Sequence, residues 1–547
     1  MHRVAVISLL GVLLGGCPRS TRPTPPAARP RLVVLVVVDQ LPTWVFERDR
    51  ARYHGGFARL LRDGGYVAAG ELPYANTLTA PGHASISTGA PPSVHGVLGN
   101  AWYRRSEQRE LPAELDREGT VFTVGASQGG TLSVEDNVSS RALRVDGIAD
   151  ILRRASRGRA HSVAISLKPR AASFVAGRRP DLAIWYDAAA GGMTTSLAYT
   201  KQVPPWLVTL ARDRPASRLF HQTWTPLDAS LLATATGIPD DAPGEGDLDG
   251  FGTAFPHDLA TSSAPAKVFL HTPYADEVVM DAALAALDAM ELGKDDVPDL
   301  LAVSFSAHDY AGHLWGPDSW EVLDLTLRLD RALGQLFDTL DRRLGPAGWA
   351  VVVTSDHGAT PVVERGPAHG RRITSAEIAG AAEAVLARRL GPGPWVAAVS
   401  SGNVYLTAAF ASVPSGARED ALTAAARAIG ELPNIAAAGV VARIAGNCAA
   451  RPDLDRAICL SVVSGESGEL YVVPAAGSLI TDYKTGTHHD APFADNRHVP
   501  ILVMAPGLAP QTAAGSLLQI APTVAALLGV PAPEAATEPP LFGLAAR

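Results

Sequence analysis

The sequence predicts an α/β protein with a mostly parallel central sheet, helices on both faces and capping insertions. Two observations predict it: short apolar runs that end in polar residues, and helical stretches between those runs. Residues 31–39 contain L-V-V-L-V-V-V and end at Asp39, as a fully buried parallel strand ending at a crevice reads. The pattern recurs at 300–306, which leads to Asp309, at 349–355, which leads to Asp356, and at 499–504. Helical stretches such as 282–290 and 320–340 lie between them. Strands alternating with helices imply a sheet covered on both sides, with ligands bound beyond the strand ends.

At 547 residues, the chain is long enough for a large domain with sizeable insertions. Its 47% hydrophobic and 19% charged content is that of a folded globular protein. A formal net charge of -8 with no long basic run argues against nucleic acid as a partner. Along the chain, residues 1–17 read as a signal peptide: His2 and Arg3 precede an apolar run too short to span a bilayer. Leu14-Gly15-Gly16-Cys17 has the form of a lipobox, so the Cys17 thiol is expected to carry a lipid anchor and the protein to be exported, to the periplasm or outer membrane of a Gram-negative bacterium. Residues 18–30 are rich in Pro, Arg, Ser and Thr and read as an extended tether. The catalytic body is expected over 31–530, interrupted by insertions at about 103–273 and 362–483 that are rich in Gly and Pro, with a tail at 531–547. Cys448 and Cys459 are close in a segment expected to be exported, so a disulfide is predicted; two buried free thiols are the alternative.

The chemistry gathers at the strand ends. Asp309 and His313 are four apart, so on a helical turn they face one direction and can share a metal. Asp356-His357 follows a strand and precedes Gly358. Each pair alone has ordinary structural explanations, a capping Asp or a core His. Repetition changes the balance: Asp39, Asp309, His313, Asp356, His357 and His489 all stand near predicted strand ends, and this carboxylate and imidazole set suits two Zn²⁺ ions. Thr79 precedes Pro81 by two positions, at the N-terminal edge of a predicted helix, where anions are favoured. A lone Thr-x-Pro is usually an N-cap; beside a Lewis acid it can be an attacking alkoxide.

Asp39, T-A-P-G-H from Thr79, G-N at Asn100, D-Y-A-G-H from Asp309, S-D-H-G around Asp356 and H-D-A-P-F from His489 together resemble the alkaline phosphatase superfamily. Within it they resemble the branch of type I phosphodiesterases, nucleotide pyrophosphatases and phosphate-irrepressible alkaline phosphatases, from about residue 32 to 529. The resemblance implies one zinc held by Asp309, His313 and His489, another by Asp39, Asp356 and His357, and Thr79 as a nucleophile bound to the second. Relatives usually show His-Gly at the last motif; here Asp490 follows His489 and His488 precedes it, so the choice between the two histidines stays open. His83, His95 and His498 match no ligand position and read as structural. Asn100 is implied as a hydrogen-bond donor to a phosphoryl oxygen, and Lys168 and Arg170, in S-L-K-P-R, as contacts to the transferred phosphate.

The reaction so implied is hydrolysis of small-molecule phosphate monoesters through a phosphothreonine. A phosphodiesterase or nucleotide pyrophosphatase would share the same ligands and nucleophile. Charge separates the two: a monoester dianion carries one more negative charge than a diester, and Lys168 with Arg170 supplies the compensation. A sulfatase would need Cys or Ser at position 79, and a cofactor-independent mutase a serine. A non-catalytic envelope binding protein would lack a ligand or the nucleophile, and none is missing.

Overall fold

The computed structural model describes residues 29–125, 128–366 and 370–545. The expected signal peptide, lipobox and nearly all of the tether lie outside these residues. The elements that position the site are, in chain order, β1 (Leu32–Val38), β2 (Gly65–Glu71), α1 (Thr79–Thr88), β3 (Ser162–Ser166), α2 (Pro169–Phe174), β4 (Leu182–Asp187), β5 (Gly192–Thr194), α3 (Pro273–Ala289), β6 (Asp299–Phe305), α4 (Ala307–Trp315), α5 (Trp320–Leu344), β7 (Trp349–Thr354) and β8 (His498–Met504). The main sheet runs β2-β8-β7-β1-β6-β3-β4-β5, with the short strand Gln511–Thr512 outside β2.

From β7 to β4 every pairing is parallel. Along β1, Leu32, Val34, Val36 and Val38 enter the core on one face, and Val33, Leu35 and Val37 the core on the other. That alternation at full burial is why the run is apolar throughout. Val37 pairs with Ser304 of β6 and with Thr354 of β7, so the three strands end level and their C-terminal ends share one rim.

Two expectations are corrected. The 499–504 run is a buried strand, β8, but it is antiparallel to β7 and β2. An apolar run records burial and not direction, and the chain here returns from the ligand-bearing rim. The 103–273 stretch is not wholly a cap, because it supplies β3, β4, β5 and α2 to the main body. The 531–547 tail packs down where described, with Leu541 2% exposed in the core beneath β2. The 362–483 stretch does build a separate layer: the strands Val396–Ser400, Asn403–Leu406, Leu470–Pro474 and Ile435–Val440 form one sheet, with a core of its own against the helices Ser375–Leu390 and Ser415–Gly430. Cys448 and Cys459 are joined in a disulfide. Among the described residues, no helix is long and apolar enough to cross a membrane.

Candidate metal centre and active site

Four neighbouring parallel strands end on one rim, and each is followed by a candidate residue. Asp39 follows β1, Asp356 and His357 follow β7, Asp309 stands in the first turn of α4 after β6, and Lys168 follows β3. Thr79 opens α1, after Leu78 in extended conformation, and is 1% exposed. Helix α1 comes close to the β7 end because position 82 is glycine: a Cβ there would lie 2.4 Å from the Asp356 carbonyl oxygen. Thr79 Oγ1 lies 3.5 Å from His357 Nε2.

The imidazoles are held in one tautomer. Nδ1–H of His313 donates to the Thr487 carbonyl at 2.9 Å, that of His357 to Gly358 at 2.9 Å, and that of His489 to Thr77 at 2.6 Å. Each Nε2 is then left facing the carboxylates, the position from which a deprotonated ring nitrogen can take a metal. His313 Nε2 is 3.3 Å and His489 Nε2 3.6 Å from Asp309 Oδ1; His357 Nε2 is 3.6 Å from Asp39 Oδ1 and 3.4 Å from Asp356 Oδ2. Asp309, His357 and His489 bring ligand atoms close enough to share one ion, and Asp39, Asp356 and His357 another; the expected ligand His313 is not in the first group and meets it through Asp309. His357 thus borders both groups, with its ring stacked 3.7 Å from that of His489. His488 turns its Nδ1 back onto its own neighbour's backbone, so His489 is the histidine that reaches Asp309.

The electrostatics fit a cation. Burial pushes the Asp39 carboxyl well above the usual range, and repulsion from Asp309 and Asp356 adds to it. Its Oδ1 is buried without a hydrogen-bond partner. Burial acts against the charge on Asp309 too, but His313 and Lys168 hold it well below the usual range. Burial also lowers His357 and His489, which keeps both rings neutral and able to ligate. Three buried carboxylates against one ammonium leave a charge deficit that a divalent ion would meet.

Lys168 sits differently from the expectation of a phosphate contact alone. Its ammonium is 2.8 Å from Asp39 Oδ2 and also bonds Asp309 Oδ2, tying together carboxylates from two strands. Arg170 faces Glu114, with Nη1 3.6 Å from Oε1, and its side chain is 29% exposed. Asn100 accepts the Ala80 N–H on Oδ1 at 2.8 Å, which fixes which end of the amide is the oxygen and leaves the NH₂ as its donor end. His83 is structural but close to the chemistry: Nδ1–H donates to the Thr79 carbonyl at 2.9 Å and lies 3.1 Å from Asp356 Oδ2. His95 serves the backbone of Val97, and His498 begins β8.

Sequence reasoning missed Gln40, whose Nε2 donates to Asp309 Oδ1 at 2.9 Å and whose backbone N–H donates to Asp356 Oδ1 at 3.2 Å. Gln40 has φ +64°, and adjacency to Asp39 was its only signal. Glu114 was also missed, because nothing local distinguishes it from a surface acid.

The profile described as type I phosphodiesterase / nucleotide pyrophosphatase matches residues 33–498. The chain belongs to this family. Alkaline phosphatase PafA of Elizabethkingia meningoseptica is 30% identical over 551 residues, 98% of this chain and 99% of its own. Alkaline phosphatase PhoV of Synechococcus elongatus is 35% identical over 340 residues, which are 61% of this chain and 60% of PhoV. The crystal structure of PafA superposes with a TM-score of 0.86 at 29% identity, covering 94% of this chain and 99% of that one. The phosphodiesterase/pyrophosphatase family therefore supplies the fold, and this member is a hydrolase.

Proposed function

We propose that this protein is a phosphate monoester hydrolase of the alkaline phosphatase type that works through a phosphothreonine at Thr79 with two zinc ions bound. The observation that carries the reading is the convergence on one rim of Thr79, at a helix N-terminus, with three carboxylates and three imidazoles whose Nε2 atoms face inward. Asp309, His313 and His489 would hold one ion and Asp39, Asp356 and His357 the other. When bound, the ions supply Lewis-acid stabilisation of charge on oxygen and a water acidic enough to ionise near neutral pH.

Thr79 Oγ1 attacks phosphorus in line, with the positive end of α1 beneath the transferred group. The P–O bond to the leaving group breaks as the bond from Thr79 Oγ1 to phosphorus forms, the leaving oxygen gaining through solvent a proton equivalent to the one Thr79 loses, and water then cleaves the phosphothreonine to release inorganic phosphate and the Thr79 hydroxyl. The Asn100 NH₂, aimed by its Oδ1 bond to Ala80, donates to a phosphoryl oxygen as charge builds. Lys168 has three N–H donors; it bonds Asp309 and forms an ion pair with Asp39, which leaves a donor for phosphate. Arg170 has five donors, and Glu114 is its carboxylate neighbour.

A phosphodiesterase would use the same centre, and the family description includes that activity. The cations at 168 and 170 favour the monoester, because its extra charged oxygen is what they could bind. Comparing hydrolysis of an aryl phosphate with that of its methyl diester tests the reading: kcat/KM higher for the diester would overturn it. The lipobox at Cys17 supports export with a lipid anchor, in the periplasm or outer membrane. The Cys448–Cys459 disulfide supports an oxidising compartment.

A further inference from the structure

One aromatic side chain stands out at the open side of the centre. Among the described residues, the exposed large apolar side chains are Val94, Leu115, Leu197 and Tyr483, and Tyr483 is both the most exposed, at 66%, and the only ring. Isolated exposed apolar residues are ordinary. This one heads a series of rings that leads to the metal centre. The Tyr483 ring lies 6.5 Å from that of His488 at an interplanar angle of 28°; His488 lies 5.2 Å from His313 and 4.9 Å from His489. His313 is the candidate ligand with substantial exposure, its side chain 28% accessible against 2% for His489. The centre therefore opens where His313 and His488 lead out to Tyr483.

The segment that carries Tyr483 is anchored on both sides. Tyr483 N–H donates to Thr481 Oγ1 at 3.1 Å, Gly486 N–H to the Gly244 carbonyl at 2.6 Å, and Thr487 N–H to the His313 carbonyl at 3.0 Å. Gly486 has φ +68°, and a Cβ there would lie 1.9 Å from the His313 carbonyl oxygen, so the close seating of this loop on α4 requires glycine. A ring on a loop fixed in this way can bind a planar group without first paying to order the chain.

We propose that Tyr483 and His488 form a subsite for planar aromatic leaving groups, so that aryl and nucleoside monophosphates are preferred to small alkyl monophosphates. The inference rests on the phosphatase reading, in which the leaving oxygen lies beside Asp309, His313 and His489, the end of the centre that the ring series meets. An aromatic leaving group would then lie over faces already presented, and stacking of that kind changes affinity by about five- to tenfold.

The test uses the zinc-loaded full chain and two readouts. Calorimetry compares phenylphosphonate with methylphosphonate, which cannot turn over. Steady-state kinetics compares KM for phenyl phosphate and adenosine monophosphate with KM for ethyl phosphate. The unaltered protein is expected to favour the aromatic member in both; Tyr483→Ala should reduce each preference about five- to tenfold, mainly through KM, and Tyr483→Phe should retain it. Equal affinity for the two phosphonates, or a preference that survives Tyr483→Ala, would overturn the subsite. A Tyr483-dependent preference for phenylphosphonate in a protein that hydrolyses no monoester would support the subsite and remove the phosphatase reading instead.

Discussion

Asn100 is assigned two tasks, and its geometry allows them to be separated. Its Oδ1 accepts the Ala80 N–H at 2.8 Å, capping α1 from outside the helix, while its NH₂ remains free to donate to a phosphoryl oxygen. Asn100→Ala removes both. Loss of a cap acceptor costs about 1 kcal/mol of stability, and loss of one preorganised donor to developing charge lowers kcat about 100- to 1000-fold. Asn100→Asp keeps the acceptor, and a carboxylate at a helix N-terminus is itself favoured, so its stability should lie close to that of the unaltered protein. Its activity should nevertheless fall at least as far as that of the alanine variant, because an acceptor now faces the phosphoryl oxygens. Urea unfolding and steady-state hydrolysis of an aryl phosphate, run on both variants, measure the two quantities. If Asn100→Asp kept its activity within about threefold, far short of the loss expected for a missing donor, the donor role would be refuted. If Asn100→Ala unfolded at the same urea concentration as the unaltered protein, the capping role would be.

Thr79→Ala should abolish turnover while elemental analysis still finds the metals, since the carboxylates and imidazoles remain; undiminished hydrolysis would remove Thr79 from the mechanism. Active protein should contain close to two zinc ions per chain and lose activity to a chelator, with recovery on adding zinc back; active protein free of transition metal would end the zinc reading. Replacing Lys168 and Arg170 together by alanine should lower kcat/KM for an aryl monoester far more than for its methyl diester, about 10- to 100-fold per lost charged contact, whereas equal losses would favour the diesterase. Asp490 holds φ +89°, and burial pushes its carboxyl well above the usual range, so Asp490→Gly should stabilise the fold by about 1 kcal/mol in urea unfolding; a destabilised variant would show that the carboxylate has a role of its own.

The sequence alone determined the layers and the kinds of residue at the rim. The valine-rich run before Asp39 and the run before Asp356 are buried strands because a sheet covered on both faces admits few polar side chains, and that signal is local. The i, i+4 spacing of Asp309 and His313 likewise placed both on one face of α4 before any tertiary contact was known. The direction of β8 was not legible, since burial is the same for either orientation. Nor was the membership of 162–194 in the main sheet, because those strands are short and separated by a loop-rich stretch. Which of the two adjacent histidines turns toward Asp309 was not legible either: His489 does so with its Nδ1–H bonded to the Thr77 carbonyl, 412 positions away in the chain. The pairing of Arg170 with Glu114, the bracing of Asp309 by Gln40 and the path of rings from Tyr483 to His313 all depend on segments brought together only by folding. Local pattern encodes burial and helical or strand periodicity; which lone pair, proton or ring faces which partner is decided by the packing of distant segments, and that orientation is what the chemistry uses.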